Sequence, residues 1–133
     1  MSNSVIYQPD KVDVNLSKQV IHAAIEVHKV LGPGLLESIY EKAMCYELLQ
    51  QRLSFESQYP IMVNYKGKRL GVGYRADLIV NNRLLVELKA ESSITNVHMA
   101  QTLTYLKLLD FKYGLIINFN NRLLKQGIKR LTI

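Results

Sequence analysis

A chain of 133 residues, 48% hydrophobic and 21% charged, has room for one domain with a real core and little room for a second module. The polar start MSNSVIYQPD is no signal peptide, and no apolar run approaches the roughly 20 residues that span a bilayer, so a cytoplasmic protein without membrane contact is expected. Lys and Arg number 17 against 11 acids, a net charge of +6 that suits a nucleic-acid partner without requiring one.

Residues 1–14 lack periodicity and read as an extended or mobile lead-in, leaving 15–133 as the single domain. A helix follows, with Ser17 as its expected N-cap and Val20, Ala24, Val27 and Leu31 recurring at helical spacing, until Gly32, Pro33 and Gly34 end it. A second helix is expected over 35–52. Its core-facing positions are Leu36, Ile39 or Tyr40, Ala43 and Leu48, and Glu37 stands in the first turn, where the helix dipole favours a carboxylate. Cys45, the single cysteine, excludes an internal disulfide and reads as a buried thiol.

The period then falls to two. Strands are expected over 59–65, over 69–74 with a continuation through 75–80, and over 83–90, with a turn at 66–68. A third helix over 96–109 would bury Val97, Ala100, Leu103 and Leu106. The unbroken apolar run 113–119 reads as a central strand covered on both faces, and 128–133 as a last strand. The third helix is a crossover, so the strands flanking it should be parallel. The class is α/β, a mixed sheet with helices on both sides.

The charged residues of RADLIVNNRLLVELKA interrupt this pattern. In the strand ending VELKA, Leu85, Glu87 and Lys89 share one face while Leu84, Val86 and Leu88 share the other. A tight two-residue turn at Asn81 and Asn82 would put Asp77 opposite Val86. A three-residue loop, Asn81 to Arg83, pairs Val80 with Leu84 and brings Asp77 opposite Glu87; because Asn tolerates the left-handed conformation, this loop is the expectation. Two acids and a lysine buried on adjacent strands suit metal-assisted phosphodiester hydrolysis. Mg²⁺ takes hard oxygen ligands and keeps several waters, so one or two carboxylates and a backbone carbonyl suffice to hold it. Zinc is disfavoured, because His22, His28, His98 and Cys45 show no ligand spacing, and no glycine-rich loop precedes a helix in the manner of a nucleotide site.

A helix acid, then Asp77, then Glu87-Leu88-Lys89 resembles the PD-(D/E)XK nuclease superfamily, whose core runs αβββαβ. Within it, Gly34, Glu37 and Tyr40 in GLLESIY, together with RADLIV, VELKA and HMAQTLTYLK, resemble the GxxExxY protein family over about residues 20–130. The resemblance implies a Mg²⁺ or Mn²⁺ site at Asp77, Glu87 and the carbonyl of Leu88, with Glu37 reaching toward the metal or a second ion. It implies that Lys89 acts on the attacking water, and that Gln101 and Tyr105 match the Q-x-x-x-Y of RecB-like branches. His98 would contact a phosphate or be an ordinary polar helix residue, and Tyr40 would be packing. Ala76 replaces the proline of the superfamily name. The implied partner is nucleic acid, with DNA first, and a homodimer is one way for so small a chain to gain specificity. The competing readings are a non-catalytic module that binds nucleic acid or a protein, and a buried ion-pair network that only specifies the sheet.

Overall fold

The structure is a computed structural model that describes residues 10–133. The first nine residues of the expected lead-in lie outside the described residues. The helix α1, Lys11–Leu31, begins before the expected domain boundary. Its N-cap is Asp10, whose carboxylate accepts the N–H of Asp13 at 2.8 Å, and not Ser17, which is buried and donates its hydroxyl to the Val14 carbonyl. An Asx cap seven residues upstream competes with a serine because periodicity shows where a helix buries its face, not where its first N–H groups find acceptors.

After the Gly32–Gly34 break comes α2, Glu37–Gln50, then β1, Phe55–Tyr65, β2, Lys68–Val80, and β3, Leu84–Lys89. The helix α3, Asn96–Leu109, crosses to β4, Tyr113–Asn118. A single 3-10 turn at Leu124–Gly127 leads to β5, Ile128–Thr132. The five strands lie in sequence order, antiparallel except for β3 against β4, which are parallel as a crossover helix requires. This is the expected mixed α/β sheet with helices on both faces. The edge strand β1 starts four residues earlier than periodicity suggested, because an edge strand half open to solvent alternates weakly.

Two apolar layers sandwich the sheet. On one face Leu78, Val80, Leu84, Val86 and Leu88 pack with Val20, Ala24 and Val27 of α1 and Tyr40, Met44 and Leu48 of α2. On the other, Ile61, Ala76, Ile79, Leu85 and Ile116 pack beneath Met99, Leu103 and Leu106 of α3. The alternation expected in β3 is therefore present. Two helix faces differ in part from expectation: in α2, Tyr40 rather than Ile39 is the buried alternative and Leu48 is buried as expected with Ala43 partly so, but Leu36 is 74% exposed and Met44 joins the stripe. In α3, Val97 and Ala100 face solvent while Thr102 and Leu106 are buried and Met99 is partly so. Leu36 is the N-cap of α2 and Val97 lies in the first turn of α3, where capping geometry rather than the apolar period sets the phase. Cys45 is half-buried rather than buried, and burial pushes its thiol pKa up, which keeps it protonated.

Candidate active site

The three-residue loop is present: Val80 pairs with Leu84, and Asn81 and Asn82 both adopt positive φ, 51° and 53°. Asn81 also exchanges hydrogen bonds with Ser54, its N–H to the Ser54 carbonyl and its side-chain oxygen from the Ser54 N–H. Arg83 closes the loop onto α1, donating to Asp13 at 2.7 Å and pairing with Asp10. With this register fixed, the regular β2–β3 ladder stops at Leu78 and Val86, and the next residues along are Asp77 and Glu87.

There the carboxylates take over the ladder. The Asp77 N–H donates to Glu87 Oε2 at 2.9 Å, and the Leu88 N–H donates to Asp77 Oδ2 at 2.8 Å. Glu87 is 1% exposed and Asp77 is buried. Burial, and then the negative charge of Asp77, push the Glu87 carboxyl pKa up to about 7, although the Asp77 N–H, the Tyr74 hydroxyl and Lys89 pull the other way. Burial raises Asp77 as well, opposed by the Leu88 N–H, Lys89 and Gln58.

Glu37 reaches this end of the sheet from the first turn of α2. Burial raises its pKa, Asp77 adds to the rise, and Lys89 and a hydrogen bond from the Ala90 N–H oppose it. Its placement depends on Tyr40, whose hydroxyl donates to the Gly32 carbonyl at 2.6 Å and accepts the Leu35 N–H at 3.1 Å while its ring stacks on Phe119. Gly34, at φ 100°, makes the turn that Tyr40 ties. The Gly34–Glu37–Tyr40 spacing is thus a device that delivers a carboxylate to the β3 terminus. Lys89 acts electrostatically on Asp77, Glu87 and Glu37 and makes no salt bridge among the described residues.

Of the α3 residues, Tyr105 enters the site: its ring stacks on Tyr74 at 4.2 Å between centroids, and burial followed by the negative charge of Glu87 raises its pKa. Gln101 is exposed and makes no hydrogen bond to the acids. His98 is a capping residue, its Nδ1 facing the Thr95 N–H while its own N–H donates to the Thr95 hydroxyl.

Four site residues carry no motif. Tyr74 hydrogen-bonds Glu87. Gln58 of β1 sits across from Asp77, donating to Glu41 Oε1 at 2.6 Å and, at a long 3.5 Å, to Asp77 Oδ1. Glu41, one helical turn after Glu37, is raised by burial and by Asp77. Asn118, fully buried, clamps the Glu91 backbone at both its N–H and its carbonyl, holding the exit of β3. Glu41 was legible as the i+4 neighbour of Glu37. The other three depend on long-range pairing.

Among the described residues, no three His, Cys, Asp or Glu side chains converge as a metal site by themselves. The donor set nevertheless suits a hard cation: two buried carboxylates whose pKa values burial has raised, with a strand-end backbone beside them. No helix among the described residues is long and apolar enough to cross a membrane. A family model described as the PD-(D/E)XK nuclease superfamily matches residues 14–131, nearly the whole chain. No curated protein and no solved structure gives a match.

Proposed function

The chain belongs to the PD-(D/E)XK nuclease superfamily, and on that premise we propose that it is a Mg²⁺- or Mn²⁺-dependent nuclease acting on DNA, of the GxxExxY kind that Gly34, Glu37 and Tyr40 suggest. The observation that carries the reading is the pair of buried carboxylates at the point where the β2–β3 ladder ends. Placing two acids in a sheet interior costs several kcal/mol, roughly, without compensating charge, and among the described residues neither acid forms a salt bridge that would supply it. This favours a cation site over an ion-pair network that merely specifies the sheet, with Lys89 acting on both acids only at longer range.

Asp77 and Glu87 would hold the ion, with the Leu88 carbonyl completing the strand-end ligands and Glu37 reaching from α2. A bound Mg²⁺ lowers the pKa of its water and offsets charge on the phosphate. Lys89, on the same face as Glu87, orients the attacking water and faces the charge that develops on the phosphate oxygens. The Tyr74 hydroxyl favours the charged form of Glu87 from one side, and the Tyr105 ring backs Tyr74 by stacking on it.

The test is cleavage of labelled DNA with Mn²⁺ by wild type, Asp77→Asn and Lys89→Ala. Cleavage by wild type that falls at least a hundredfold in both variants supports the reading. Equal cleavage by all three indicates a contaminant. No cleavage by the wild type, with DNA binding intact in Asp77→Asn, favours a non-catalytic binding module.

A further inference from the structure

The strands β1 and β2 outrun the rest of the sheet. The strand β3 pairs with β2 only at Leu78, Ile79 and Val80, and α3 covers the ribbon no further out than Ile61 and Tyr74. Beyond that the ribbon stands alone to the two-residue turn at Lys66 and Gly67, and residues 64–70 are exposed on both strands. Two bulges, at Gly73 and Leu70 of β2, shift its register and add bend and twist. At the first, a Cβ would lie 2.5 Å from Val63 Cγ2, so any larger residue would force Val63 to shift.

The charge of this ribbon is of one sign. Between Glu56 and Asp77 it carries Lys66, Lys68, Arg69 and Arg75 and no acid, a local +4 within a chain whose net charge is +6. None of the four forms a salt bridge among the described residues. The line of cations begins at Arg75, two residues from Asp77, and ends at a tip ten residues from it, about 30 Å at roughly 3.3 Å per residue. Exposed cations on an edge ribbon also discourage strand-to-strand aggregation. Yet Tyr65, Leu70 and Val72 stand exposed among these cations, at 57%, 62% and 48%, which a purely protective edge would avoid.

Resting on the proposed nuclease reading, we propose that the β1–β2 ribbon is the arm that holds a double-stranded DNA against the Asp77–Glu87 end of the sheet. Lys66, Lys68 and Arg69 contact phosphates away from the cut, and Arg75 contacts phosphate beside it. A duplex is the form this shape fits, because a major groove about 12 Å wide admits a two-stranded ribbon, whereas a single strand is held by a groove.

The experiment is fluorescence anisotropy of a labelled DNA duplex, and of one of its strands, in EDTA over a series of salt concentrations. Wild type is compared with the triple variant Lys66→Asn, Lys68→Gln, Arg69→Gln. Asn is chosen at 66 because φ there is 51°. The expected result is a duplex affinity reduced at least tenfold at low salt, and a plot of log K against log salt shallower by about 3, since each phosphate contact contributes about 0.9. Melting temperature and Mn²⁺ binding stay unchanged. Unchanged duplex affinity and slope overturn the arm, and tighter wild-type binding to the single strand overturns the duplex assignment. Binding of neither form by the wild type removes the nuclease reading together with the arm, and is thereby told apart from failure of the arm alone.

Discussion

Asp77 and Glu87 are joined by a hydrogen bond from main chain to side chain where the sheet's own ladder has stopped: the Asp77 N–H donates to Glu87 Oε2 at 2.9 Å, one step beyond the last regular pair, Leu78 with Val86. The Leu88 N–H donates in return to Asp77 Oδ2 at 2.8 Å. Each carboxylate therefore satisfies a strand N–H that would otherwise be orphaned, and each is locked in orientation by the other strand.

Glu87 makes the stability of the metal-free protein depend on pH. Its pKa is raised from an ordinary 4.5 to about 7, so the fold favours the protonated acid. That contribution is complete below about pH 4.5 and is lost as pH rises through 7, on the order of 3 kcal/mol. Urea unfolding in EDTA should show stability falling over this window and levelling above it. Mn²⁺ affinity should move oppositely, rising roughly tenfold per pH unit below 7 as one proton is displaced.

Tyr74→Phe keeps the ring stacked on Tyr105 and removes only the hydroxyl bonded to Glu87, a bond that favours the charged carboxylate. The pH midpoint of Mn²⁺ binding should move upward in this variant, with little change in melting temperature at low pH. Calorimetry at several pH values reads the midpoint directly.

Gln58 occupies the left-handed region, φ 53°, in the middle of a strand. The strand Ala76–Ile79 across from it also loses its alternation, since Ala76 and Ile79, three apart, both pack beneath α3. Strand propensity alone favours Val at such a position. The backbone reverses that, because a β-branched residue is strained at positive φ, and Gln58→Val should cost about 1–3 kcal/mol in denaturant unfolding.

Tyr40→Phe leaves the stack on Phe119 and removes two hydrogen bonds at the Gly32–Leu35 turn. The expected cost is about 1–2 kcal/mol of stability. Because the turn also delivers Glu37, cleavage should fall by more than the stability loss explains, which activity measured well below the melting temperature separates.

What the sequence disclosed about the fold followed from periodicity and from one piece of loop arithmetic. The period-two run 84–88 and the Asn81–Asn82 pair were enough to set the β2–β3 register and so to bring Asp77 to Glu87. The order of elements, with one crossover helix, determined which strands are parallel. Helix starts were less legible, since Asp10 caps α1 through a local hydrogen bond that leaves no apolar period. Gln58, Tyr74 and Asn118 were invisible for a different reason. Gln58 meets Asp77 only through the β1–β2 register, Tyr74 meets Glu87 only because the strand slips a face near Asp77, and Asn118 meets Glu91 only through the crossover. Gln101 rests on the resemblance to the Q-x-x-x-Y motif alone, and α3 leaves it exposed while Tyr105 is half-buried against Tyr74.

The most direct test of the cation site is calorimetric titration of Mn²⁺ into the wild type and into Asp77→Asn at pH 8, above the raised pKa of Glu87. The account predicts saturable binding to the wild type that weakens at least tenfold in Asp77→Asn, while the variant remains as stable as the wild type in EDTA or becomes more so, because a buried charge has been removed. Binding of equal strength in the two proteins, or a variant that loses about 3–5 kcal/mol of stability as a broken structural ion pair would, would contradict it.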